Sequence, residues 1–140
     1  MAGRTIVLAD GTFEGALGLV LVVGAAGGRL DSGDFPEPAG ASLIAGVGCV
    51  LLALAAYLLL RQRRPVGAGL LRALAVGNLV TACAAVAWRL TASGFSTAGS
   101  ALTLATASAL AALAAAQLWA AGRNTAPSVK PGSPPQTMND

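Results

Sequence analysis

Five polar residues stand inside long apolar stretches of this sequence and are its candidates for chemistry: Asp10, Glu14, Arg72, Asn78 and Gln117. Asp10 and Glu14 are four residues apart, so a helix would place both carboxyl groups on one face. A cationic side chain in an apolar helix needs an anionic partner, which predicts that Arg72 pairs with Glu14 or Asp10. The two amides are expected to be hydrogen-bonding neighbours of that pair. Such a polar cluster can bind a small ion or a headgroup.

The same residues also have structural interpretations, which stay open at this level. An internal ion pair would fix the register of the helices, and Asp10 would cap the first of them. Arg72 would alternatively extend its side chain to lipid phosphates. Asn78 is close to the middle of its segment and is typical of an interhelical hydrogen bond, worth about 0.6–2 kcal/mol.

Composition excludes most other chemistry. The sequence contains no histidine, and its two cysteines, Cys49 and Cys83, lie far apart within apolar runs. This excludes His-ligated haem and zinc sites and a Cys-x-x-Cys motif. The acidic residues within 29–38 lack the spacing of a calcium loop, and there is no Ser/His/Asp set. We therefore expect no metal, no cofactor and no enzymatic activity.

Composition also predicts the elements that must position these residues. Of the 140 residues, 55% are hydrophobic and 11% are charged, whereas soluble domains carry about 25% charged residues. A helix crosses a bilayer with about 20 apolar residues, and four stretches qualify: 10–28, 39–60, 66–90 and 99–121. Short connections make neighbouring helices antiparallel. The predicted fold is all-α, a membrane-spanning four-helix up-down-up-down bundle over residues 1–121, followed by a disordered cytoplasmic tail at 122–140.

Charge at the ends of the apolar stretches predicts the orientation. Arg4 precedes the first stretch and three arginines follow the second within 61–64, whereas 29–38 carries three acids. Positive residues favour the cytoplasmic side, so we expect a multi-pass protein of the inner (plasma) membrane with both termini in the cytoplasm. The net charge of +3 then needs no nucleic acid partner. A cleaved signal peptide is the competing interpretation of the first stretch, but Asp10 and Glu14 precede its apolar core, where a basic region is required.

Small residues predict the faces on which the helices meet. Helices within lipid associate by close backbone packing, and each segment has small residues at i, i+4 spacing. The third segment has the stripe Gly69, Ala73, Gly77, Thr81 and Ala85. We expect these stripes at helix contacts and the leucine-rich faces toward lipid.

Two segments carry a resemblance to known proteins: ADGTFEGALGLVLVVGA at 9–25 and LLRALAVGNLVTA at 70–82. They resemble uncharacterised small four-helix membrane proteins of high-GC bacteria, loosely similar to the DoxX-like group. The shared features are an Asp-Gly that opens the first helix, an Arg and a Gly-Asn in the third, and a Gln late in the fourth. The resemblance implies a four-helix bundle and implies no activity.

Two kinds of function follow from these patterns. The first is a non-catalytic structural or accessory component that lies in the lipid bilayer and assembles with itself or with another membrane protein. The second is an oligomeric transporter or channel for a small molecule or ion, with an inner-leaflet polar pocket around Glu14 and Arg72. Small multidrug-resistance transporters also have four helices in a short chain and use a membrane-embedded glutamate in the first helix, although the rest of their pattern is absent. An intramembrane carboxylate is a functional candidate by default.

Overall fold

The described part of the chain consists of four long helices. The computed structural model describes residues 2–30, 34–36, 40–61 and 63–124. The helices are α1 (Ala2–Ala26), α2 (Ala41–Arg61), α3 (Ala68–Thr91) and α4 (Thr97–Asn124), and no strand occurs among the described residues. All four are long and apolar enough to cross a membrane, the pattern of a multi-pass membrane protein. The prediction of an all-α four-helix bundle is confirmed.

The first helix begins at Ala2, not near residue 10 as predicted. Val7 is fully buried, so the preceding turns are packed parts of the helix. Asp10 therefore lies roughly 12 Å inside the helix at 1.5 Å per residue, and the interpretation of Asp10 as a helix cap is wrong. At the other end of the chain α4 continues to Asn124, so the first residues of the predicted tail are helical. The rest of the predicted tail, 125–140, lies outside the described residues.

Backbone contact between two glycines joins α1 to α2. A Cβ atom on Gly18 would lie 2.7 Å from the carbonyl oxygen of Gly48, and one on Gly48 would lie 2.8 Å from the carbonyl oxygen of Gly18. No larger residue fits at either position without a shift of the helices. Such close approach is how helices associate in lipid, where apolar burial supplies little driving force.

The helices form two closely packed pairs. α1 packs along α2, α3 packs along α4, and a smaller contact between α1 and α4 joins the pairs. Between α2 and α3, both of which are described in full, there is no extended backbone packing. The bundle is therefore an open arc in the order α2, α1, α4, α3.

The predicted small-residue stripe on α3 is not a helix contact. Gly69 and Gly77 are exposed, and a Cβ atom on either would meet open space. The buried face of α3 consists of other residues, Leu71, Ala75, Asn78 and Ala82. In an alanine-rich helix several faces carry small residues, and the face with a buried polar side chain is the one turned inward.

Two apolar clusters close the ends of the arc. One end of the bundle holds the start of α1 and the end of α4. There a "terminal cluster" combines side chains from all four helices: Val7, Leu58, Leu71, Ala120 and Ala121. At the opposite end, an "aromatic cluster" combines Phe35, Trp88 and Phe95, with Phe35 stacked on Trp88 at 6.0 Å between ring centroids. Phe35 belongs to the α1–α2 connection and packs against Trp88 of α3, so it joins the connection to the second helix pair.

A hydrogen-bonded junction holds this connection in place. The Ser96 hydroxyl donates to Asp34 Oδ1 at 2.8 Å, and the Ser96 backbone N–H donates to the Asp34 carbonyl oxygen at 3.2 Å. The start of α4 lies directly against the same segment, because a Cβ atom on Gly99 would overlap the Asp34 carbonyl oxygen. The aromatic cluster is thus anchored to the rest of the bundle.

Candidate functional site

Three buried polar side chains from three helices form a closed hydrogen-bonded ring, the "polar triad" of Asp10, Asn78 and Gln117. The Asn78 amide donates to Asp10 Oδ1 at 3.0 Å and to Gln117 Oε1 at 3.2 Å. The Gln117 amide donates to Asp10 Oδ2 at 2.9 Å. Both carboxylate oxygens of Asp10 are therefore satisfied by amides, and the triad joins α1 to α3 and α4.

The local sequence explains why these three side chains meet. Leu71, Asn78 and Ala82 occupy one face of α3, so Asn78 points into the bundle with the apolar residues around it. Asp10 and Gly11 both lie on the buried face of α1. Buried polar groups are stable only when their hydrogen-bonding capacity is used, and here each member supplies what the others need.

Glu14 lies one turn beyond Asp10, midway along α1, and has different surroundings. Its side chain is only 4% exposed, and its Oε2 atom is buried without a hydrogen-bond partner. No ion pair to Glu14 occurs among the described residues. A buried carboxyl oxygen without a partner lowers the free energy of unfolding by about 1–3 kcal/mol or more. A hydrogen-bond donor that paired with this oxygen would recover that free energy.

Glu14 lines a cavity of about 680 Å³ between the two helix pairs. Most of the cavity lining is apolar, and its polar members are Glu14, Asn78, Thr81, Thr103 and Thr106. Of the described lining residues, Glu14 alone has an ionisable side chain. The hydroxyls of Thr81 and Thr103 already donate to backbone carbonyls within their own helices. Glu14 is thus the one ionisable side chain described at the wall of a mostly apolar cavity.

Arg72 does not join the predicted cluster. Its side chain is exposed, and no ion pair between it and Asp10 or Glu14 occurs within the described part of the chain. The predicted pairing is wrong, and the reason is helical periodicity. Arg72 and Asn78 are six residues apart, which is about one and two-thirds turns, so they cannot both face the interior of the bundle.

The structure therefore brings four of the five predicted residues together and leaves the fifth outside. Asp10, Asn78 and Gln117 are in direct contact, Glu14 and Asn78 share the cavity, and Arg72 is outside. A polar pocket around Glu14 and Arg72 was predicted, but not this mostly apolar cavity, which Phe35 and Trp88 line and Arg72 does not. No local pattern could have revealed it, because it depends on the separation of α2 from α3.

Comparisons with known proteins identify no family for this chain. No model of a protein family, no curated protein and no solved structure matches this chain. The resemblance to the DoxX-like group therefore has no support from a match and stays a prediction. Among the described residues there is no group of three or more His, Cys, Asp or Glu side chains that could hold a metal ion.

Proposed function

We propose that this protein binds a small, largely apolar organic cation inside the membrane, with Glu14 as the recognition group. The observation that carries the proposal is the buried Oε2 atom of Glu14, which lacks a partner and belongs to a side chain that lines a large cavity. A cation is the occupant that best compensates a buried carboxylate, because charge-assisted hydrogen bonds are about twice as strong as neutral ones.

The size and lining of the cavity support an apolar body for this ligand. Binding sites for small organic molecules usually have volumes of about 300–1,000 Å³, with an apolar lining and few convergent polar groups. The present cavity of about 680 Å³ falls within this range and presents Leu17, Leu21, Val50 and Leu110 among its apolar walls. A hydrated inorganic ion would make no favourable apolar contact with those walls.

The polar triad supports the proposal in a positioning role. Asp10 uses both oxygens on Asn78 and Gln117, so it holds α1 against α3 and α4 and leaves Glu14 as the free carboxyl group. Because Asn78 also lines the cavity, a bound ligand would contact the triad at its edge. Ligand binding and helix packing are thereby connected through one side chain.

The second proposal concerns orientation and location. We propose that the chain crosses the plasma membrane with both termini in the cytoplasm, supported by Arg61, Arg63 and Arg64 beside the terminal cluster and by Asp34 at the opposite end. Positive residues favour the cytoplasmic side. The role of structural or accessory component, assembling with itself or with another membrane protein, stays a prediction.

A thermal-shift experiment on detergent-purified protein tests the binding proposal. Long-chain primary amines should raise the Tm of the wild type, because a ligand that binds only the folded state stabilises it by about 2.7 kcal/mol at one hundred times its Kd. The shift should vanish in Glu14→Gln and persist in Arg72→Gln, which removes a charge outside the cavity. Equal shifts in the wild type and in Glu14→Gln would refute the proposal.

A further inference from the structure

The cavity is closed toward both ends of the helices. At one end it borders the terminal cluster, against which the lining residues Leu54 and Leu74 pack. At the other end it borders the aromatic cluster, where Phe35 and Trp88 are lining residues. Because both boundaries are packed apolar clusters, the described residues at neither end form a polar route from water to Glu14.

The cavity is open on one side, between α2 and α3. Several lining residues of these two helices are exposed, among them Val50 at 67%, Val47, Gly77 and Thr81. The lining residues that α1 and α4 contribute are all buried or half-buried. Together with the missing packing between α2 and α3, this identifies the gap between these helices as the opening.

The surroundings of this opening are apolar. Leu43 and Val47 on α2 and Val76 and Val80 on α3 are exposed, and both helices are able to span a membrane. Exposed faces of this kind on spanning helices contact lipid chains. The opening of the cavity therefore faces the hydrocarbon region of the bilayer.

We propose that the ligand reaches Glu14 sideways from the bilayer, through the gap between α2 and α3. This inference rests on the proposed function and specifies its ligand class: an amphiphile that partitions into membranes and carries one cationic amine on an unbranched or compact apolar body. The amine pairs with Glu14, and the body extends along the apolar walls toward the opening. Water-soluble ions are excluded by the closed ends.

Gly77 provides the means to block the opening without disturbing the fold. It lines the cavity, it is exposed, and a Cβ atom there would meet nothing within 4 Å. Leucine at this position should occupy the opening at little cost to packing. Gly69 is the matched control, because it lies on the same helix, is equally exposed and free of neighbours, and does not line the cavity.

Trp88 provides a direct signal of ligand binding. The sequence has two tryptophans, of which Trp88 lines the cavity and Trp119 is exposed elsewhere on α4. In a Trp119→Phe background, a long-chain amine that carries bromine atoms on its chain should quench Trp88 when it occupies the cavity. Glu14→Gln in the same background supplies the level of quenching that arises from free diffusion in the bilayer.

The experiment measures stopped-flow quenching in phosphatidylcholine–phosphatidylglycerol vesicles that contain the protein. We expect a saturable component that Glu14→Gln abolishes, with rates that follow the membrane concentration of the amine. Gly77→Leu should slow association and dissociation together, each about tenfold, equivalent to about 1.4 kcal/mol on the barrier, and leave Kd within about threefold. Gly69→Leu should match the wild type, and circular dichroism and Tm should verify that both variants fold.

The results of this experiment distinguish lateral access from binding at Glu14. A Glu14-dependent component with unchanged rates in Gly77→Leu would overturn lateral access and leave binding at Glu14 intact. The absence of any Glu14-dependent component would refute both proposals. An equal saturable quenching component with a neutral brominated alcohol of the same chain length would show that the cavity takes a lipid chain, and would overturn the cationic ligand class.

Discussion

Asp10 and Glu14 lie one turn apart on the buried face of α1, yet only the carboxyl group of Asp10 is fully hydrogen-bonded. The amides of Asn78 and Gln117 occupy both oxygens of Asp10, whereas Oε2 of Glu14 is buried without a partner. Two residues of similar chemistry therefore have opposite roles. We propose that Asp10 stabilises the bundle and that Glu14 is held at a cost to stability that a bound cation would remove.

The first prediction compares the removal of each carboxyl group. Asp10→Leu should lower the free energy of unfolding by about 1–3 kcal/mol, because it leaves two buried amides without their acceptor. Glu14→Leu should leave stability unchanged or raise it, because it removes a buried polar atom that has no partner. Both are measured by equilibrium unfolding in mixed detergent micelles. A larger loss for Glu14→Leu than for Asp10→Leu would contradict the division of roles.

The second prediction concerns cooperation within the polar triad. Asn78→Leu and Gln117→Leu should each destabilise the protein by about 1–2 kcal/mol. Because the two amides bond each other and share Asp10, the double variant should lose less than the sum of the single losses. A double-mutant cycle on unfolding free energies measures this coupling. Strictly additive losses would show that the three side chains act independently.

The third prediction tests the glycine contact between α1 and α2. Gly48→Ala should destabilise the protein by about 1–3 kcal/mol, since its new Cβ atom would lie 2.8 Å from the Gly18 carbonyl oxygen and must push the helices apart. Gly46→Ala is the matched control on the same helix, because a Cβ atom there meets nothing within 4 Å. Thermal unfolding of both variants measures the difference. Equal stability of the two would argue against the close approach.

The fourth prediction tests the proposed orientation. In a variant without Cys49 and Cys83, both exposed on α2 and α3, single cysteines are introduced in the first connection (29–38) or in the second (61–65). An impermeant thiol reagent added to intact cells should label the first connection only, as the positive-inside rule requires. Labelling restricted to the second connection would reverse the orientation.

The sequence predicted the two central helices well and the first helix poorly. α2 and α3 begin and end within two residues of the predicted bounds, because charged residues and a proline mark their ends. For α1, Asp10 and Glu14 suggested a polar helix start, whereas their burial in the middle of the helix depends on partners more than sixty residues away. Local pattern does not contain that information.

The same limit applies to the candidate site. Asn78 and Gln117 are amides within apolar spanning segments, where polar side chains favour polar partners, so their inclusion in a polar cluster was predictable. The predicted pairing of Arg72 was wrong because the depth of a residue along a helix does not determine which face it occupies. Arg72 and Asn78 lie on different faces of α3. The cavity requires α2 and α3 to lie apart, and that separation follows from the pairing of α1 with α2 and of α3 with α4.

A binding titration measures directly whether Glu14 recognises a cation inside the bundle. A labelled long-chain primary amine, whose ammonium group can donate to Glu14, is titrated onto the purified protein in lipid nanodiscs by equilibrium dialysis, with Glu14→Gln and Arg72→Gln as variants. We expect saturable binding of about one cation per chain, a Kd at least about thirtyfold weaker in Glu14→Gln, as for loss of a buried charge partner, and an unchanged Kd in Arg72→Gln. Equal Kd values for the wild type and Glu14→Gln would show that Glu14 does not recognise the cation.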